Sequence, residues 1–201
     1  KTLKESFDVF LNQIFPTLYN AFSVLLLGVF CGPVANGLFD AGTKLVDISQ
    51  QFLKIISRTF FPFLSRKIDK HTLFSKIYML FTLIVTLGLI FFAPFLIPVF
   101  FSEEFSESIK VLRLMAISGV FLTMSNIYGT NYLIIIGRER SLRNLTMYAS
   151  LLGFVIAIPL IYYGGYMGAV AIIVFVRMLL GVGSYLLAYN CKKNICKKNL
   201  L

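Results

Sequence analysis

Tryptophan is absent from this 201-residue chain, histidine occurs once, cysteine three times, and charged residues make up only 14 % of it. Cys31, Cys191 and Cys196 are too few for a disulfide framework, and no cysteine and histidine stand at the spacing of a zinc site. The cysteines are read as structurally neutral, and no metal or other cofactor is expected. There is no glycine-rich phosphate loop ahead of a helix, no GxSxG elbow and no HExxH pair. ATP hydrolysis within the chain is thereby argued against, and no enzymatic role is expected. The acidic cluster Ser102-Glu103-Glu104-Phe105 has no metal-ligand pattern around it.

What the chain has in excess is apolar surface. Apolar residues reach 58 %, against about 45–50 % in soluble domains, and the mean hydropathy is +0.82. A bilayer accommodates this, because each helix satisfies its own backbone hydrogen bonds and can show apolar side chains all round. The expected fold class is therefore all-α, a polytopic membrane protein. Six apolar blocks, near 9–31, 35–61, 74–101, 109–136, 142–163 and 166–190, are each long enough to cross the ~30 Å of hydrocarbon. They predict one bundle of six transmembrane helices followed by a basic tail, 191–201. Gly32-Pro33 separates the first two blocks, Pro62 closes the second, Gly137 the fourth, and Gly164-Gly165 divides the last pair. Pro94 and Pro98 are expected to kink the third.

The net charge of +10 would suggest nucleic acid in a soluble protein, but its distribution points elsewhere. Lys1, Lys4, Arg66, Lys67, Lys70, Lys76, Arg138, Arg140, Arg143, Lys192, Lys193, Lys197 and Lys198 all fall at alternate ends of the blocks. The intervening connectors, 32–34, 102–108 and 164–165, hold no Lys or Arg but carry Glu103, Glu104 and Glu107. That asymmetry is the positive-inside pattern and predicts both termini in the cytoplasm. Membrane lipids, not nucleic acid, are the expected contacts of the basic loops. His71, in one of those loops, is expected to be solvated, and Glu107 to pair locally with Lys110. The opposite connectors are too short for a folded external domain. No cleavable leader is evident, and since the chain starts with Lys and enters an apolar stretch within ten residues, it is expected to be a fragment.

In the second block Asp40, Lys44, Asp47, Gln51, Lys54 and Arg58 follow at spacings of 4, 3, 4, 3 and 4, one continuous helical face. At 1.5 Å per residue this stripe is ~27 Å long, and each charge in it would cost at least ~2.5–3.5 kcal/mol facing lipid. One reading is that Asp40, Lys44 and Asp47 neutralise one another and lock the bundle. The other is a hydrated vestibule that accepts anions, since Lys54 and Arg58 extend the face without a carboxylate. Gln13, Thr17, Asn20 and Ser23 in the first block, and Thr123, Asn126 and Thr130 in the fourth, offer matching polar faces, although small polar residues also serve as packing contacts between helices. Arg177 stands in the sixth block with Gly181 and Ser184 beyond it on the same face and no carboxylate within a turn. Either it faces a cavity and binds an anion, or it pairs across helices with Asp40 or Asp47. The candidate substrate-binding cations are Lys44, Lys54, Arg58 and Arg177; the candidate cavity-lining residues are Asp40, Asp47, Gln51, Asn20, Ser23 and Asn126.

Several short motifs resemble a known family. Leu25-Leu26-Leu27-Gly28 with Val34-Ala35-Asn36-Gly37-Leu38-Phe39-Asp40-Ala41-Gly42-Thr43-Lys44, then Phe61-Pro62-Phe63-Leu64-Ser65, Phe100-Phe101-Ser102-Glu103-Glu104-Phe105 and Gly137-Arg138, resemble the C-terminal half of polysaccharide biosynthesis (O-antigen) flippases. These form the lipid-linked oligosaccharide branch of the multidrug/oligosaccharidyl-lipid/polysaccharide exporter superfamily. The chain departs from the family pattern at Phe39, where a Tyr is usual, at Gly42, where Ala is usual, and at Ser23, where many relatives carry an acid. The resemblance implies half of a twelve- to fourteen-helix MATE-like transporter in the bacterial cytoplasmic membrane. It implies a lipid-linked oligosaccharide carried on undecaprenyl diphosphate as substrate, flipped by alternating access, and a missing N-terminal half or a second copy as partner. Alternatives within the superfamily are a small-molecule or multidrug antiporter, which would favour acids in the cavity, and a lipid II flippase. The alternative of another class is a membrane subunit of a glycosyltransferase assembly.

Overall fold

A computed structural model describes residues 2–67 and 70–198, with side chains 1–9, 11–13, 15, 16, 19 and 193–198 outside the description. Lys1, Lys4, Gln13, Lys193, Lys197, Lys198 and Cys196 from the sequence reading therefore lie outside the described side chains. The described residues are helical almost throughout and contain no strand. Helix α1 runs Thr2–Arg66, α2 His71–Phe101, α3 Ser108–Ser125, and α4 Glu139–Lys198. A short 3-10 turn, Glu103–Phe105, precedes α3, and a π-helical segment, Asn126–Ile134, continues it.

Four stretches, Asn20–Arg66, His71–Phe101, Ser108–Ile134 and Glu139–Lys192, are long and apolar enough to cross a membrane, and the protein is a multi-pass helical membrane protein. The count differs from the six separate helices expected, and the reason is local. Gly32 and Gly165 each leave helical geometry for one residue, at φ 79° and 56°, so no connector separates the helices on either side. A Cβ added at Gly28 would lie 2.7 Å from the side-chain nitrogen of Asn36. Eight residues along a straight helix are ~12 Å apart, so α1 bends back on itself at Gly32. Likewise an added Cβ at Gly168 would overlap the carbonyl of Leu160, and α4 bends back at Gly165. Only glycine adopts such a φ without penalty, and Pro33, whose N–H is dispensable at a first helical position, starts the next run.

Other boundaries also shift. Pro62 does not end its helix, which continues to Arg66. Pro94 and Pro98 lie inside an unbroken α2. Gly137, at φ 71°, terminates the α3 and π-helical run as expected.

The core lies among all four helices, with α1 and α4 sharing the most extensive interface. Leu27, Val46, Ile97, Val111, Leu112, Met115, Ile161, Ile172, Ile173 and Val176 are buried in it. Close approach depends on missing side chains. A Cβ at Gly42 would lie 2.6 Å from Val111, and one at Gly181 only 2.5 Å from the backbone oxygen of Phe121. Gly42, a departure from the family pattern, is thus what lets α1 touch α3. Ser108 Oγ, donating to the Leu38 carbonyl at 2.7 Å, fastens the same end of that contact. A smaller cluster of Leu53, Tyr78 and Ile127 holds α2 against the far end of α1, with the Tyr78 hydroxyl donating to the Leu53 carbonyl at 2.7 Å.

His71 overturns its expectation of solvation. It is buried at the start of α2, and its Nε2 donates at 3.0 Å to the Ile127 carbonyl in the π-helical segment. Its ring lies 5.0 Å from that of Tyr132. Each turn of a π-helix misaligns carbonyls relative to an α-helix, and the imidazole supplies one of them with a donor. Glu107 accepts the Tyr166 hydroxyl at 3.0 Å, a partner on α4 in place of the expected Lys110.

Candidate functional site

A cavity of about 750 Å³ opens among α1, the end of α3 with the π-helical segment, and α4. Its lining is polar in a molecule that is mostly apolar. Asp47, Gln50, Gln51, Lys54, Ser57 and Arg58 come from α1, Asn126, Thr130 and Asn131 from the π-helical segment, and Thr146 and Arg177 from α4. Thr17 and Asn20, before the Gly32 bend, reach the same space. Helical periodicity explains the convergence on α1, since residues 47, 51, 54 and 58 recur every three or four positions on one face.

Arg177 lines the cavity from α4. It is buried, Nη1 donates to Ser118 Oγ at 3.0 Å, and Nη2 stands 3.8 Å from Asp47 Oδ1. Arg177 thus pairs across helices with Asp47 and also lines the cavity. Gly181, one turn on, brings α4 against the backbone of α3, and Ser184 there contacts Ser125 Oγ at 3.3 Å. Arg177 is held in place by packing, with one carboxylate that is itself half exposed. Beyond it Lys54 and Arg58 are exposed along the open side, so the cavity becomes more cationic from Asp47 toward the end of α1.

Seven of the ten candidate residues line this space: Asn20, Asp47, Gln51, Lys54, Arg58, Asn126 and Arg177. Lys44 and Asp40 do not. They lie on the same face of α1 and are exposed, but outside the cavity lining, which on this part of α1 begins at Asp47. Ser23 is also outside the lining and is buried in the bundle. Lys44, expected among the cavity cations, is exposed outside this lining.

Gln50, Ser57, Asn131, Ser125 and Thr146 line the cavity without having been singled out. Asn131 Nδ2 donates to Ser57 Oγ at 2.7 Å. Gln50 Oε1, Asn126 Nδ2 and Asn131 Oδ1 are buried polar atoms with no protein partner. Buried amides of this kind are costly unless water or a ligand completes them. The site can therefore present cations and a cluster of amide and hydroxyl groups together, which suits a ligand with both anionic and hydroxyl functions.

A protein from Shigella dysenteriae named "Putative O-antigen transporter" is 30 % identical over 185 residues, covering 89 % of this chain and 46 % of its own length. One of the same name from Escherichia coli K12 is 23 % identical over 172 residues, covering 80 % and 40 %. The chain spans about half the length of the curated relatives it matches. No solved structure is a significant match. The polysaccharide biosynthesis protein family matches residues 1–110, more than half of the chain and including the whole polar stripe of α1, so the chain belongs to that family.

Proposed function

We propose that this chain forms one wall of a pathway that flips an undecaprenyl-diphosphate-linked oligosaccharide across the bacterial cytoplasmic membrane. The observation that carries the reading is the polar, cation-bearing cavity of about 750 Å³ within an otherwise apolar helix bundle. Lys54 and Arg58 meet the diphosphate at the mouth, Arg177 receives it deeper in, and the amides of Gln50, Asn126 and Asn131 hydrogen-bond sugar hydroxyls. The polyprenyl tail stays in lipid. The relatives named as O-antigen transporters support the same substrate class.

The bends at Gly32 and Gly165 support six crossings, two from each of α1 and α4, with both termini on the cytoplasmic side by the distribution of Lys and Arg. Gln51, Lys54 and Arg58 leave the cavity open along one side of the bundle. Charges there are too costly to face hydrocarbon, so a second bundle covers them, either another segment of the same protein or a second copy. Alternating access is then a rocking of the two bundles about the cavity. The reading assigns no catalytic chemistry to the chain.

The test is complementation. The full-length gene is expected to restore surface polysaccharide to a strain lacking its lipid-linked oligosaccharide flippase with a matching glycan, and Arg177→Ala is expected to reduce it at least tenfold at equal membrane abundance. Wild-type activity in both Arg177→Ala and Arg58→Ala would overturn the assignment of the site. An equal loss of transport and of membrane-inserted protein would reassign Arg177 to folding.

A further inference from the structure

A second concavity, of about 460 Å³, lies between the end of α1 and the start of α2 and is independent of the cavity above. Ile56, Phe60 and Phe63 on α1 face Leu73, Ile77 and Phe81 on α2 across it, and Lys70 stands at its rim. Phe74 and Tyr78 form the floor, stacked at 5.3 Å, with Phe60 5.6 Å from Phe74. Apart from the rim lysine, the lining is wholly apolar or aromatic.

The groove is elongated along the helices. From Lys70 to Phe81 is eleven residues, ~16 Å along the axis, close to half of the ~30 Å hydrocarbon thickness. It thus runs from the membrane surface, where α1 ends and α2 begins, to the bilayer midplane, the depth of one leaflet. The surface end is basic. Arg66, Lys67 and Lys70 are all exposed there, with Asp69 the only acid in the connector sequence.

Its position on α1 separates it from the translocation site. Ile56, Phe60 and Phe63 each lie two residues beyond Lys54, Arg58 and Phe61, which line the first cavity, an offset of roughly 200° around the helix. A ligand whose charged group sat at Lys54 and Arg58 would have to pass around α1 to place its chain here.

We propose that this groove is a binding site for an anionic phospholipid, with an acyl chain along Phe60, Leu73, Ile77 and Phe81 and the phosphate and acidic headgroup held at Lys70. A cation at the surface end and a leaflet-deep apolar trough below it complement the two parts of such a lipid. The site clamps the junction of α1 and α2, next to the buried contact between Tyr78 and Leu53.

Because the chain has no tryptophan, a single introduced indole reports without background. The full chain carrying Ile77→Trp, or Leu73→Trp should that substitution disturb insertion, is reconstituted in phosphatidylcholine vesicles containing brominated phosphatidylglycerol or, in parallel, brominated phosphatidylcholine. A control carries Val155→Trp, an exposed position on α4 outside the groove. Quenching of the Ile77→Trp protein is expected to show about a fivefold preference for the anionic lipid, the effect of one lysine near the surface. The Val155→Trp protein is expected to show none, and Lys70→Gln to abolish the preference at position 77. Equal quenching by both lipids, or a preference that survives Lys70→Gln, would overturn the proposal. So would an indole at position 77 that neither lipid quenches, since the groove would then be covered by protein.

Discussion

α1 beyond Gly32 and α2 are neighbouring helices of similar length, and both leave much of their surface uncovered by the rest of the bundle. Their exposed faces differ in kind. That of α2 is apolar from Ile77 to Phe100 and has no charged residue after Lys76. That of α1 carries Asp40, Lys44, Asp47, Gln51, Lys54 and Arg58, all exposed. Exposure in an isolated bundle therefore has two meanings. The face of α2 is finished, because lipid is an adequate solvent for it, whereas the face of α1 needs water or a partner.

The strongest way to break that comparison is to place the same cation on each helix. Leu87→Lys, at an exposed position in the middle of α2, is expected to raise the cost of insertion by about 2.5–3.5 kcal/mol. Gln51→Lys on the stripe of α1 is expected to insert as well as the wild type. Glycosylation-tagged insertion in microsomes measures both, and equal penalties would mean that the α1 stripe faces lipid.

Next in size is the contact that positions the cavity. Gly181→Val forces side-chain atoms against the backbone of Phe121, which cannot give way as a flexible side chain would. A loss of about 1–3 kcal/mol is expected, seen as a lower unfolding midpoint in detergent. Gly88→Val on α2, where an added Cβ meets nothing within 4 Å, is expected to leave that midpoint nearly unchanged.

His71→Phe tests the tie between α2 and the π-helical segment while keeping an aromatic ring beside Tyr132. Loss of the donor to Ile127 is expected to cost about 1 kcal/mol, with faster amide exchange at residues 126–134 than in the rest of α3. Uniform protection across both segments would show that the imidazole does not hold that segment.

The smallest expected effect sharpens the division within the stripe itself. Lys44→Gln, outside the cavity lining, is expected to leave transport in the complementation assay within about twofold. Arg58→Gln, on the cavity lining, is expected to lower it several-fold if each phosphate contact is a charge-assisted bond of about 1.5–3 kcal/mol. Equal losses would extend the site along α1 beyond the cavity lining as far as Lys44.

Much of this architecture was legible in the sequence because it is periodic. Apolar blocks mark the helices, and the 4-3-4-3-4 spacing from Asp40 to Arg58 marks one face, of which the residues from Asp47 onward line the cavity. Where the stripe leaves the cavity was not legible, since the facing walls come from residues distant in sequence, Asn126 and Arg177 among them. Gln50 and Ser57 escaped notice because they lie beside the charged face, one position off its register. Asn131 carried a signal that could have been used, a lone amide among Tyr128, Tyr132, Leu133 and Ile134. His71 was misplaced because it sits in a basic run, and nothing local announces that Ile127 and Tyr132 will bury it. The π-helical geometry of 126–134 has no pattern in composition at all.

Gly32, Gly165 and the short turn at 103–105 all meet at one end of the molecule, where Cys31 lies against Gly165 and Tyr166 reaches Glu107. Two of the three chain reversals there are made by a single residue each. Among the described residues, a protease or an antibody arriving from that side finds little to grip apart from the few residues from Ser102 to Glu107. An epitope tag or cleavage site meant to report on that side of this bundle belongs there.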